Sequence, residues 1–80
     1  MNHFLLYHRH SSADCAASFA AWNGFASHLR GTSAMSTCAH NAHEIWWFVD
    51  APDSAAALAQ LPGYVAARTL ALRVSPVVIP

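Results

Sequence analysis

The sequence predicts a single small α+β domain over residues 1–80, in which an antiparallel sheet carries helices on one face. The first observation is the stretch from His43 to Asp50, the densest group of aromatic and β-branched residues in the chain. Such a stretch is typical of a central strand that is apolar on both faces. The second observation is that strand-like and helix-like segments alternate on either side of it. The third is the composition: 55% of the residues are hydrophobic and only 10% are charged, against a typical charged share of about 25%.

The first half of the chain predicts one strand followed by one long helix. The N-terminal residues are apolar and aromatic, and a period of two places alternate side chains on the same face of a strand. One such face holds Phe4, Leu6, His8 and His10. Ser11 and Asp14 have the spacing of a capping box, so a helix is expected from about Ala13 to Leu29. Gly24 weakens the middle of this helix slightly, and Gly31 is its expected C-terminal stop.

The middle of the chain predicts a β-hairpin. Residues from Ala34 to Ala39 are small and weakly apolar, which indicates a short edge strand. Asn41 and Ala42 follow as a tight turn, because asparagine tolerates the positive φ angles that such turns require. The chain is then expected to return along the Trp-rich strand.

The last third predicts a second helix and a final strand. This helix is expected to begin at Asp53 or Ser54, either of which can cap it, and to end at Pro62. Residues 64–69 fit either a further turn of helix or a loop. Residues 70–79 fit a strand, and the proline within it indicates an edge, a bulge or an exchanged arm.

The resulting element order is βαββαβ, which is the ferredoxin-like pattern, an antiparallel sheet with both helices on one face. The Trp-rich strand then has one side under the helices and one bare side. The expected sets are Ile45, Trp47 and Val49 under the helices, and Trp46, Phe48 and Asp50 on the bare side. Nothing else in the chain can cover the bare side, so we expect a homodimer in which two sheets face each other.

The second half of the sequence is similar to the C-terminal half of muconolactone isomerase-like proteins, and more broadly resembles the dimeric α+β barrel superfamily. The resemblance is clearest from His43 to Pro80 and is carried by residues 43–51, 53–58, 61–62 and 77–80. It implies a homodimeric barrel with a small-molecule pocket inside the barrel or between sheet and helices. Isomerase-like or cofactor-free monooxygenase-like activity is implied with it. These motifs are structural, so no catalytic residue is carried over from them.

The candidate site residues come from the chemistry of the side chains themselves. Aromatic walls stack planar organic molecules, and imidazole moves protons near neutral pH. The predicted ligand-binding residues are Tyr7, Trp46, Phe48, Arg73 and Trp22, and the predicted catalytic residues are His8, His10 and Asp50. No cofactor is expected. A non-catalytic dimeric binding or scaffold module is the alternative that the sequence leaves open.

Six histidines among 80 residues raise a third alternative, a metal-binding protein. His8 with His10, and Cys38 with His40, each share one face of a strand, and His43 follows closely. The first pair is expected at the far end of the sheet from the turn that carries the others. The sequence therefore predicts no joint metal site, and the histidines are expected to be exposed or hydrogen-bonded.

The charge pattern predicts few other partners. Formal net charge is zero, and the four basic residues are scattered, which argues against nucleic acid. No apolar run has the length of about 18 residues that a membrane span needs, and the N-terminus does not resemble a signal peptide. A cytoplasmic protein with two reduced thiols, Cys15 and Cys38, is expected.

Overall fold

A computed structural model describes residues 1–80. Its strands are β1 (Asn2–Arg9), β2 (Met35–Ser36), β3 (Glu44–Ala51) and β4 (Thr69–Val74). They form one sheet in the order β2-β3-β1-β4, and every neighbouring pair is antiparallel. The predicted α+β class with an antiparallel sheet is therefore confirmed.

The helices are short: α1 (Cys15–Ala20), α2 (Ser54–Leu58) and α3 (Gly63–Ala66). None of them has the length and hydrophobicity that crossing a membrane requires. The predicted helix begins close to the expected position, with a 3-10 turn at Ser12–Asp14 followed directly by α1. Its predicted extension to Leu29 is wrong beyond Ala20. The reason is Gly24, which adopts a φ of 74° that favours glycine and stops helical propagation.

The hairpin and the final strand are also shorter than predicted. β2 has two residues rather than six, and it pairs antiparallel with β3 through Met35 and Ser36. The positive φ expected at Asn41 is confirmed, at 64°, but the tight turn is not, because the chain passes from β2 to β3 through a 3-10 turn at Cys38–His40. β4 ends at Val74, two residues before Pro76, because proline has no amide hydrogen for the ladder.

The second helical region follows the sequence closely. The Asp53 side chain caps α2, accepting a hydrogen bond of 2.8 Å from the backbone amide of Ala56. α3 resolves the alternative left for residues 64–69 in favour of a helical turn. These two helices supply the apolar cover for the middle of the sheet.

The core lies between one face of the sheet and the helical layer. Its members are Phe4, Leu6, Ile45, Trp47, Val49, Ala51, Ala57, Leu61 and Val65. Burial alternates along β3, so Ile45, Trp47 and Val49 are buried while Phe48 and Asp50 are exposed. This is the side assignment that the sequence favoured. We call the opposite face of the sheet, which no helix covers, the open face.

Candidate functional site

The open face presents a continuous group of apolar side chains. Tyr7 lies directly opposite Trp46 in the β1–β3 register, and their ring centroids are 5.5 Å apart. Cross-strand register adds Met35 beside Trp46, with Leu70 and Leu72 on the other edge. The most exposed members are Met35 at 77%, Phe48 at 77%, Leu70 at 61% and Leu72 at 46%. Exposure on this scale within one face is typical of a surface that has a partner.

Polar pairs border this apolar group at both ends. At one end the Tyr7 hydroxyl donates to the carboxylate of Glu44. This hydrogen bond, with some help from desolvation, raises the pKa of Tyr7 above its ordinary value of 10.0. At the other end His3 Nδ1 lies 2.5 Å from Asp50 Oδ1. An apolar centre with a polar rim is the usual composition of a protein interface.

The predicted ligand-binding residues do not all meet. Tyr7, Trp46 and Phe48 share the open face, whereas Trp22 lies on the helical side against Trp47, with ring centroids 5.9 Å apart. Arg73 lies opposite Phe4 in the β1–β4 register and donates a 3.0 Å hydrogen bond to Asn2 Oδ1. The structure therefore does not bring Trp22 and Arg73 together with the open-face aromatics within one chain, because the sheet or its edge separates them.

The predicted catalytic set is also divided. His8 and His10 point to the helical side and are buried, while Asp50 is exposed on the open face beside His3. In the register, Asp50 lies opposite His3 and His8 opposite Ile45, so five residues of strand separate them along β1. At about 3.4 Å per residue this is roughly 17 Å. The structure does not assemble His8, His10 and Asp50 into one catalytic site.

A second surface lies on the helical side and was missed by sequence reasoning. It is an apolar cleft of about 330 Å³ between β2–β3 and the chain from α1 to β2. Its apolar and polar lining includes Phe19, Trp22, Leu29, Arg30, Ile45 and Trp47. The cleft exists because α1 ends early, at Ala20. A helix that continued to Leu29 would not carry residues 29–32 to the wall of the cleft. Gly24 was the available signal.

The buried histidines form a hydrogen-bonded chain at the end of β1. His8 is fully buried and His10 is 6% exposed. His8 Nε2 lies 2.7 Å from His10 Nδ1, and His8 Nδ1 lies 3.1 Å from Thr69 Oγ1 and 3.3 Å from the carbonyl oxygen of Val65. Burial lowers the pKa of both imidazoles below 6.5, and in each case a neighbouring histidine, His10 for His8 and His43 for His10, adds to the effect. Both shifts favour the neutral form of the imidazole rings.

His10 also approaches two potential metal ligands. A ring nitrogen of His10, the sulfur of Cys15 and a ring nitrogen of His43 all lie within 4.8 Å of one another. The predicted separation of His10 from His43 is wrong. β1 ends where β3 begins in an antiparallel pair, and the His10 amide donates a 3.1 Å hydrogen bond to the His43 carbonyl. Cys15 arrives from the first turn of α1.

The other predicted pair, Cys38 and His40, stays outside this cluster. Both residues lie on an exposed 3-10 turn, Cys38–His40, rather than on a strand. They therefore do not share a strand face, which was the basis of their predicted pairing.

No protein-family profile, curated protein or solved structure matches this chain.

Proposed function

We propose that this chain is a homodimeric protein that binds a small apolar or aromatic molecule. The observation that carries the proposal is the open face, where Phe48 on the interior strand β3 and Leu70 on the edge strand β4 expose more than half of their surface. A monomer would hold this apolar group in water. A second copy related by two-fold symmetry would cover this apolar group with its own open face, because an isologous interface uses the same surface of both subunits.

The strands of the open face supply about half of the area that a stable dimer needs from each partner, so the C-terminal residues must contribute to the contact. Strands β1, β3 and β4, spaced by about 4.8 Å and up to eight residues long, give a flat footprint of roughly 400 Å² before side-chain relief is counted. A stable interface needs about 800 Å² from each partner. Residues 75–80 can supply more, since Val77, Val78 and Ile79 are exposed and apolar.

We further propose that the fold is ferredoxin-like and that two copies pair as a dimeric α+β barrel. Three features support this. The sheet order places β1 between β3 and β4, all neighbours are antiparallel, and the connections β1–β2 and β3–β4 contain the helices. This is the arrangement that the resemblance implies, and in it the open faces of two sheets meet.

The ligand is proposed to occupy the apolar cleft. Its volume of about 330 Å³ lies at the lower end of the usual range for small-molecule sites, about 300–1,000 Å³. Trp22 and Trp47 supply aromatic walls, and Arg30 supplies one cation that can receive a carboxylate. A planar aromatic acid fits this lining. Binding is proposed rather than turnover, because the predicted catalytic residues do not converge. Isomerase-like and monooxygenase-like activities stay predictions.

Two measurements test the proposal. Sedimentation equilibrium should give twice the chain mass of 8.6 kDa at micromolar concentration. A monomer at every accessible concentration would refute the dimer. For the ligand, the three tryptophan indole N–H signals in a ¹H–¹⁵N spectrum distinguish the cleft, lined by Trp22 and Trp47, from the open face, which carries Trp46. Titration with 1-naphthoic acid should shift the signals of Trp22 and Trp47 and leave that of Trp46 in place.

The naphthoate titration also has outcomes that contradict the cleft. A shift of the Trp46 signal alone would place the molecule on the open face instead. No shift of any indole signal up to millimolar 1-naphthoic acid would refute the binding of this ligand class. Trp22→Leu is the matched variant, since it should weaken naphthoate binding while Trp46→Leu should not.

A further inference from the structure

We propose that His10, Cys15 and His43 form a zinc site with one coordination position open to solvent. This site lies on the helical side of the sheet, at the end of β1, and none of its three ligands belongs to the open face. It assigns a function to the hydrogen-bonded pair of buried histidines, His8 and His10. These residues take part neither in the proposed dimer interface nor in the proposed ligand cleft.

The hydrogen bonds from Thr69 through His8 to His10 determine which ring nitrogen of each histidine carries the proton. The Thr69 hydroxyl donates its only proton to the Val65 carbonyl at 2.7 Å. His8 Nδ1 therefore faces two acceptors and must carry a proton itself. In the neutral ring His8 Nε2 is then an acceptor, so the proton of its 2.7 Å bond to His10 belongs to His10 Nδ1.

The consequence is a free lone pair on His10 Nε2. This atom is buried and has no hydrogen-bond partner. A metal-binding histidine typically donates its other ring N–H to an acceptor, which fixes the tautomer and the orientation of the ring. His8 fills that role for His10, and Thr69 and Val65 do the same for His8.

His43 provides a second, separate observation. Its Nδ1 is also buried without a hydrogen-bond partner. Buried nitrogen atoms are usually paired, because an unpaired one has lost its hydrogen bonds to water and gained none in return. Two unpaired imidazole nitrogens beside a thiol are explained together if all three bind one cation.

The donor set favours zinc. Two imidazole nitrogens and one thiolate suit Zn²⁺, with bonds of about 2.0–2.1 Å to nitrogen and 2.3 Å to sulfur. In a tetrahedron these bonds place the donor atoms roughly 3.3–3.6 Å apart. The present separations, up to 4.8 Å, require a contraction of the order of 1 Å. Rotation of the half-buried Cys15 and His43 side chains can supply it.

Three protein ligands leave the fourth position free. His10 and His43 border a polar cleft of about 580 Å³, whose other walls include Asp14, Glu44 and Arg68. Zinc sites with three protein ligands bind water or a small anion in the fourth position. The carboxylates can accept a hydrogen bond from bound water, and the guanidinium of Arg68 can attract an anion.

The test uses the full chain without a histidine tag. Zinc is titrated in competition with a chromophoric chelator, and cobalt(II) is bound separately as a spectroscopic probe. We expect one metal per chain and a thiolate-to-cobalt charge-transfer band. Cys15→Ser should abolish that band and weaken zinc binding more than 100-fold, beyond the 10–100-fold typical of losing a residue that supports a ligand. Cys38→Ser, at the exposed cysteine, should change neither.

A second pair of variants keeps the test decisive if Cys15→Ser fails to fold. His43→Asn should weaken zinc binding to a similar degree, while His40→Asn at an exposed position should not. Circular dichroism without metal confirms that each variant is folded. The proposal is overturned if the wild-type chain binds no zinc at micromolar concentration. It is equally overturned if Cys38→Ser or His40→Asn weakens binding as much as the corresponding ligand variant.

Discussion

Replacement of Phe48 by serine tests the dimer most directly. Fully burying a phenylalanine side chain is worth about 3 kcal/mol. Phe48 is 77% exposed in the single chain, so pairing can bury most of that surface. This amounts to roughly 2.3 kcal/mol per chain. A two-fold symmetric interface contains Phe48 twice, which gives roughly 4–5 kcal/mol per dimer. At 1.4 kcal/mol per factor of ten, the dissociation constant should rise by about three orders of magnitude.

The stability of the folded chain provides the contrast. Because Phe48 is exposed on the open face, Phe48→Ser should change the free energy of unfolding of the monomer by less than about 1 kcal/mol. Sedimentation equilibrium over a wide range of concentrations measures the dissociation constant, and urea denaturation at low concentration measures the stability. Phe19→Ser is the matched control, since Phe19 is 52% exposed but lies on α1, on the other side of the sheet.

Two results would refute the reasoning about Phe48. One is a wild-type dimer whose dissociation constant is unaffected by Phe48→Ser, since the interface would then lie elsewhere. The other is an equal weakening by Phe19→Ser, which would place the contact on the helical side.

Three further perturbations have defined outcomes. Thr69→Val removes one acceptor of the His8 Nδ1–H, so zinc affinity should fall about tenfold in chelator competition, whereas Thr69→Ser should retain it. Asp53→Ala removes the acceptor of the Ala56 amide and should lower the free energy of unfolding by about 1 kcal/mol in urea denaturation. The metal-free protein should lose stability as the pH falls below about 6.5, because burial lowers the pKa of His8 and His10 and the unfolded chain then binds more protons. A urea midpoint unchanged between about pH 7.5 and 5.5 would contradict this sign.

The strands could be predicted because their signals are local. The apolar centre and aromatic content of β1 and the aromatic and β-branched content of β3 identify both strands without knowledge of their partners. The cap at Asp53 and the positive φ at Asn41 are likewise properties of a few consecutive residues. The extent of α1 could not be predicted in this way. The helical period continues through Trp22 and Phe25, and only the backbone conformation of Gly24 decides against it.

The site depends on which strands are neighbours. The ligand-binding prediction grouped aromatic residues by type, and it mixed Trp22 with residues from the opposite face of the sheet. The face of Tyr7, Trp46 and Phe48 follows from a period of two. The position of Trp22 depends on the path of the chain after α1, and no local sequence pattern predicts that path.

The His10–His43 contact shows what an antiparallel register adds to a sequence. Matching the apolar faces of β1 and β3 places Leu6 opposite Trp47, and continuing that register past Arg9 and Glu44 places His10 opposite His43. Two histidines 33 residues apart then become neighbours by strand pairing alone. Cys15 joins them only because a 3-10 turn, Ser12–Asp14, turns the chain back over the end of β1. Two of the three proposed ligands thus follow from topology, and the third requires the structure.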